Sequence, residues 1–191
     1  MKIKKFIPFT VLLILILAGT ACSKPAPQEG TLEYAESEVG KTFSGLKLPE
    51  LDGAEISMVV LQHWQHPDEE ADPKDPNNTD TVIIGYVEQR GEKAAQIDDE
   101  DLHEEARLLY GVYKGDTVAA LAIGKLPVET GGAEESEEEV DGVAMQVYEA
   151  GEGLIAVARP KDLTYTLQGV PSESRSREQL LKLLAEAVNE Q

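Results

Sequence analysis

Between Val143 and Leu167 three runs of strand character follow one another closely: Val143 to Glu149, Leu154 to Arg159 and Leu163 to Leu167. Their separators, Ala150-Gly151-Glu152-Gly153 and Pro160-Lys161-Asp162, are rich in turn formers, so the three runs predict an antiparallel meander. A helix follows at once. Ser176 with Gln179 three residues later is a capping-box pattern, and Leu180, Leu181, Leu183, Leu184, Ala187 and Val188 then recur at helical spacing. Such a helix needs an apolar surface to cover, and the meander supplies one. The expected fold class is therefore α+β: a largely antiparallel sheet packed by a C-terminal amphipathic helix, with a second short helix.

Upstream runs extend the same sheet. Glu55 to Trp64 places Ile56, Met58 and Val60 on one face, and Thr81 to Gln89 places Val82, Ile84 and Tyr86 on one face with Ile83 and Val87 on the other. Tyr110 to Tyr113, a turn at Lys114-Gly115-Asp116, and Thr117 to Ile123 read as a hairpin. Lys41 to Leu48 alternates weakly and ends at Pro49. The second helix is expected to begin at Asp98, Asp99 or Asp101, acids that suit the positive end of a helix dipole, with Leu102, Ala106 and Leu109 as its apolar stripe. Pro67 to Asp80 and Val128 to Asp141, the latter holding the run Glu134 to Glu139, lack apolar residues to bury and are expected as exposed, mobile loops.

The N-terminus has a different character. Lys2, Lys4 and Lys5 precede an apolar run from Phe6 to Leu17, then the small residues Ala18-Gly19-Thr20-Ala21, then Cys22. That order is a secretory signal peptide, and its run is too short for the roughly 20 residues of a spanning helix. A cysteine directly after the small residues resembles the lipobox of bacterial lipoproteins, although Gly19 stands where a Leu is usual. The resemblance implies a signal peptide over residues 1–21, cleavage before Cys22, and a diacylglyceryl group on its sulfur. The expected location is the extracytoplasmic face of the cell membrane. Ser23 to Glu38, with Pro25, Pro27 and Gly30, reads as a tether, and residues 39–191 as a single domain.

Charge narrows the partners. The chain has 17 basic and 36 acidic residues; losing residues 1–21 removes three lysines and no acid, so 14 basic groups face 36 acidic ones, a formal −22. Nucleic acid is excluded as a partner, because neutralising phosphates needs a basic face. The same charge repels anionic lipid headgroups. Cys22 is the only cysteine, so no disulfide can staple the domain. About 150 residues suffice for one core that buries about 70% of the unfolded chain's surface.

His63 and His66, in His63-Trp64-Gln65-His66 and followed by Asp68, Glu69 and Glu70, are the candidate ligands for a transition metal such as zinc. Residues three apart on a strand face opposite ways, so the pair converges only if the strand ends in a turn before Pro67. The plainer reading is a solvent-facing pair at a strand end. Asp75 to Asp80 superficially resembles a calcium loop, but Asp80 stands where the turn glycine belongs and Tyr86 where the bidentate Glu belongs. No G-x-S-x-G, S-x-x-K, H-E-x-x-H or phosphate loop is present, so no cofactor and no catalytic residue is expected.

From Gly142 to Val188 the chain resembles the end of an uncharacterised domain of Gram-positive lipoproteins and anti-sigma-factor-related membrane proteins. The residues that carry this are Gly142, Tyr148, Leu154 to Ala158, Tyr165-Thr166-Leu167, Gly169 and Leu180-Leu181. The resemblance implies an extracytoplasmic sensory or interaction module and supplies no catalytic residues. The expectation is a non-enzymatic lipoprotein binding a protein or small ligand; the alternative is a divalent-cation or metal-binding lipoprotein using His63, His66 and the nearby acids.

Overall fold

Eight strands pair antiparallel into one sheet: β1 (Glu55–Trp64), β2 (Thr79–Val87), β3 (Ala106–Gly111), β4 (Thr117–Gly124), β5 (Glu134–Val140), β6 (Val143–Ala150), β7 (Gly153–Ala158) and β8 (Thr164–Gly169). Among the described residues two helices, α1 (Leu32–Thr42) and α2 (Arg177–Asn189), complete an α+β fold. The computed structural model describes residues 26–64, 79–94, 106–125, 134–173 and 175–191. Strand order is β3-β1-β2-β4-β8-β7-β6-β5. The expected meander is present in full and gains a fourth member at its outer edge.

Alternation along the strands decides which face is covered. Val82, Ile84 and Tyr86 on β2, Leu121 and Ile123 on β4, Leu167 on β8 and Ala156 on β7 are all fully buried, and they share one core with both helices. α2 is held at its start by the capping box, with the Gln179 amide donating to Ser176 Oγ at 3.3 Å and the Ser176 amide to Gln179 Oε1 at 2.7 Å. It lies over β5 to β8 and buries Leu180, Leu181, Leu183 and Leu184.

Six expectations are corrected. The stretch read as tether contains α1: Thr31 caps it, accepting from the Tyr34 amide at 3.2 Å, and Ala35 and Val39 are fully buried. Leu32, Ala35 and Val39 stand at helical spacing and dock on the β3 side. The boundary expected at Val39 therefore falls inside a packed helix. Lys41 to Leu48 is the end of α1 and a loop, not a strand; its Leu46 and Leu48 are buried without a ladder.

Ala106 and Leu109, read as helical, belong to β3, which pairs with β1 through a bulge at Val59/Val60. Three apolar positions fitted a helical stripe equally well, and pairing with β1 prevailed over that local pattern. The proposed start at Asp98 to Asp101, and Leu102, lie outside the described residues. Among the described residues, the second short helix is α1.

β3 and β4 do not form a hairpin. β4 inserts between β2 and β8, while Tyr113 makes an antiparallel bridge to Lys93 and the Gly91 amide donates to the Lys114 carbonyl at 2.7 Å. The Lys114-Gly115-Asp116 turn thus folds onto the segment after β2.

Glu134 to Val140, read as part of a loop, is the edge strand β5. Its ladder needs only backbone, and the two-residue turn Asp141-Gly142 sets the register, with φ of 49° and 80°. Positive φ at both central positions is the hairpin turn that Asp-Gly favours. Within β1, a bulge between Ile56 and Met58 places Ile56 opposite Tyr86 on the helix-covered face and Met58 and Val60 on the other, so the three do not share a face. Thr79 and Asp80 open β2; the remainder of the expected loop, from Pro67, lies outside the described residues.

Candidate functional site

His63 stands near the end of β1, directly across from Asp80 of β2. Its Nδ1 lies 2.9 Å from Asp80 Oδ1, and both side chains are partly exposed. An ionised carboxylate only accepts, so the Nδ1 proton faces Asp80. His66, Asp68, Glu69, Glu70 and Cys22 lie outside the described residues. Among the described residues no three His, Cys, Asp or Glu side chains gather as a metal site.

A second feature was not visible in the sequence. Where α1 and α2 both end, a cleft of about 530 Å³ opens over the ends of strands β4, β7 and β8. α1 stops because Ser44 and Gly45 turn left-handed, at φ 54° and 96°, and the Gly45 amide donates back to the Gly40 carbonyl at 2.7 Å. That reversal sets Phe43 and Leu46 on one wall. The turn after β7, closed by the Leu163 amide on the Pro160 carbonyl, brings Lys161, Asp162 and Leu163 to the opposite side. Val188 of α2, Lys125 after β4, Tyr165 of β8 and Gln191 also line the cleft. β7 contributes only the small side chain of Ala158 beside Tyr165, which leaves space under the helix ends.

Tyr165 is the functional-looking group in this cleft. It is 2% exposed, and burial pushes its phenol up to about 12, so it is a neutral donor at physiological pH. Its hydroxyl has no hydrogen-bond partner among the described residues. The other buried tyrosines are paired: Tyr86 donates to the Pro49 carbonyl at 2.9 Å, Tyr148 reaches Glu135 at 3.5 Å, and Tyr110 accepts from Arg90. The hydroxyl opens on the cleft and is accessible there, so it is free to donate to water or to a bound group.

Other polar clusters hold structure. Arg177 donates to Glu138 and Glu149, and Arg90 joins Glu55 and Tyr110 while lying 5.7 Å from the Tyr113 ring centre. Arg175 donates to the Asp52 and Gly53 carbonyls, fixing the chain that enters β1. Among the described residues no helix is long and apolar enough to cross a membrane. No protein-family model matches this chain, and no curated protein or solved structure shows significant similarity to it.

Proposed function

We propose that this chain is a lipid-anchored extracytoplasmic module that binds a small ligand without transforming it, in the cleft between the helix ends. The observation that carries the binding reading is the cleft where the two helices end, with the Tyr165 hydroxyl opening onto it. A volume near 530 Å³ is in the usual range for small-molecule sites, and four apolar side chains with a few polar groups suit one. The anchoring reading rests on the order of lysines, apolar run, small residues and Cys22. Two acyl chains on one cysteine give stable attachment where one would be marginal.

Only residues 23–30 separate the lipidated cysteine from the capped start of α1. At about 3.5 Å per extended residue, that leaves the domain within about 30 Å of the bilayer. The test of the anchor is Cys22→Ala in cells, followed by fractionation and labelling with a fatty-acid analogue. Loss of label, with release of the protein or accumulation of an uncleaved precursor, is expected. A variant still cleaved and membrane-bound would end the lipid reading.

One observation favours a second reading. A carboxylate that orients a histidine through one ring nitrogen is the usual support for a metal on the other, and Asp80 does this for His63. His66 and the acids after it would complete such a site. A zinc-dependent rise in the unfolding midpoint that disappears in His63→Ala would support it, since a ligand of the folded state stabilises by mass action. No shift would end it.

A further inference from the structure

The two margins of the sheet differ. At β3 the chain closes its own margin: Gly30 bridges to Tyr110, and α1 packs against the strand. At the opposite end of the strand order, β5 pairs with β6 alone among the described residues. Val140 and Val143 flank the two-residue turn as a hydrogen-bonded pair. Alternation from there points the amides and carbonyls of Glu135, Glu137 and Glu139 away from β6. These three residues are exposed, and their side chains lie on the face opposite to Glu138, which Arg177 of α2 holds. Each therefore offers one free backbone donor and one free acceptor to an added strand.

Charge decides which strand can come. Glu137 and Glu139 have no ion pair among the described residues, and Glu135 accepts from the neutral groups of Gln146 and Tyr148. Like charges directly opposite one another across a ladder destabilise it, and unlike charges stabilise it. We propose that the outer margin of β5 is a docking strand for an extended cationic segment of another protein, with lysine or arginine at alternate positions. Laid antiparallel, that segment exchanges both backbone bonds with Glu135, Glu137 and Glu139 and sets a cation across from each carboxylate. The cleft plays no part in this contact.

Short capped peptides separate backbone pairing from charge. The parent alternates lysine with valine. A second copy of it has the lysine amides N-methylated, which keeps every charge and removes the donors, and a third carries glutamate in place of lysine. Each is dye-labelled and titrated with the lipidated full-length protein in phosphatidylcholine nanodiscs, with empty discs as the blank, and anisotropy is read. The parent should bind, the methylated peptide should bind on the order of tenfold more weakly, and the glutamate peptide should not bind. Glu137→Pro removes one outward donor at a position where an edge strand tolerates proline, and should weaken the parent on the order of tenfold. Glu137→Gln keeps the donor and should weaken it only about threefold. Urea unfolding checks that both variants fold; should the proline variant not, the methylated peptide decides alone. No binding by the parent, or a methylated peptide that binds as well as it does, would overturn the docking strand. So would equal affinities of folded Glu137→Pro and Glu137→Gln, which would leave charge attraction alone.

Discussion

Arg177, the first residue of α2, clasps Glu138 of the edge strand β5, and the same guanidinium reaches Glu149 of β6 at 2.6 Å. One side chain therefore ties the start of the helix to the two outermost strands. The hydrogen bonds from Arg177 hold the Glu138 carboxyl below its ordinary 4.5. A carboxyl depressed by folding contributes stability that is complete above pH 4.5 and fades as pH falls through its lower folded value. Both partners are about a third exposed, so solvent screening keeps the contribution to about 1 kcal/mol or less. Glu138→Gln should thus be slightly less stable than wild type at neutral pH in urea unfolding. The gap should close in acid and in high salt; a gap constant across pH would refute the pairing.

The capping box makes a sharper claim. Ser176→Ala removes the acceptor for the Gln179 amide and should cost about 1 kcal/mol, whereas Ser176→Asp should retain stability. Equilibrium unfolding distinguishes the two. Equal losses would mean that the serine acts through something other than its oxygen.

α1 can be tested as part of the domain. Ala35 has no exposed surface, so Ala35→Glu forces an unpaired carboxylate against the core, at a cost on the order of 3 kcal/mol. Limited proteolysis should then cut within residues 32–54, which the wild type protects. If the segment were a free tether, the variant would match wild type in both stability and cleavage.

Gly115 probes the fold-back that replaces the expected hairpin. A methyl there would stand 2.5 Å from the Gln89 carbonyl oxygen and 2.9 Å from Val87 Cβ. Gly115→Ala should cost about 1–3 kcal/mol in urea unfolding. In a free hairpin turn the change would be close to neutral.

These positions also show what the sequence could convey. α2 and the strands from Val143 onward were legible because cap, period and turn residues all agreed over a continuous stretch. β3 was not, because Ala106 and Leu109 satisfy a helical spacing and only the partner strand β1 decides otherwise. β5 offers no apolar alternation, yet Asp141-Gly142 before Val143 was a usable hairpin signal that the glutamates masked. α1 was hidden because its fully buried residues are few, Ala35 and Val39, and follow two prolines. The cleft had no local signature at all. Tyr165, Lys125 and Lys161 come from separate elements, and only strand register and the two helix ends bring them together.

The sheet stops at β5, where five of seven residues are glutamates. An open margin of this kind invites a neighbour's margin to zip onto it, but a second copy would arrive bearing its own row of anions. Crowding many copies side by side should therefore leave them as separate particles at neutral pH. Replacing these acids with neutral side chains of similar size would lift that repulsion and turn the quietest border of the molecule into its stickiest.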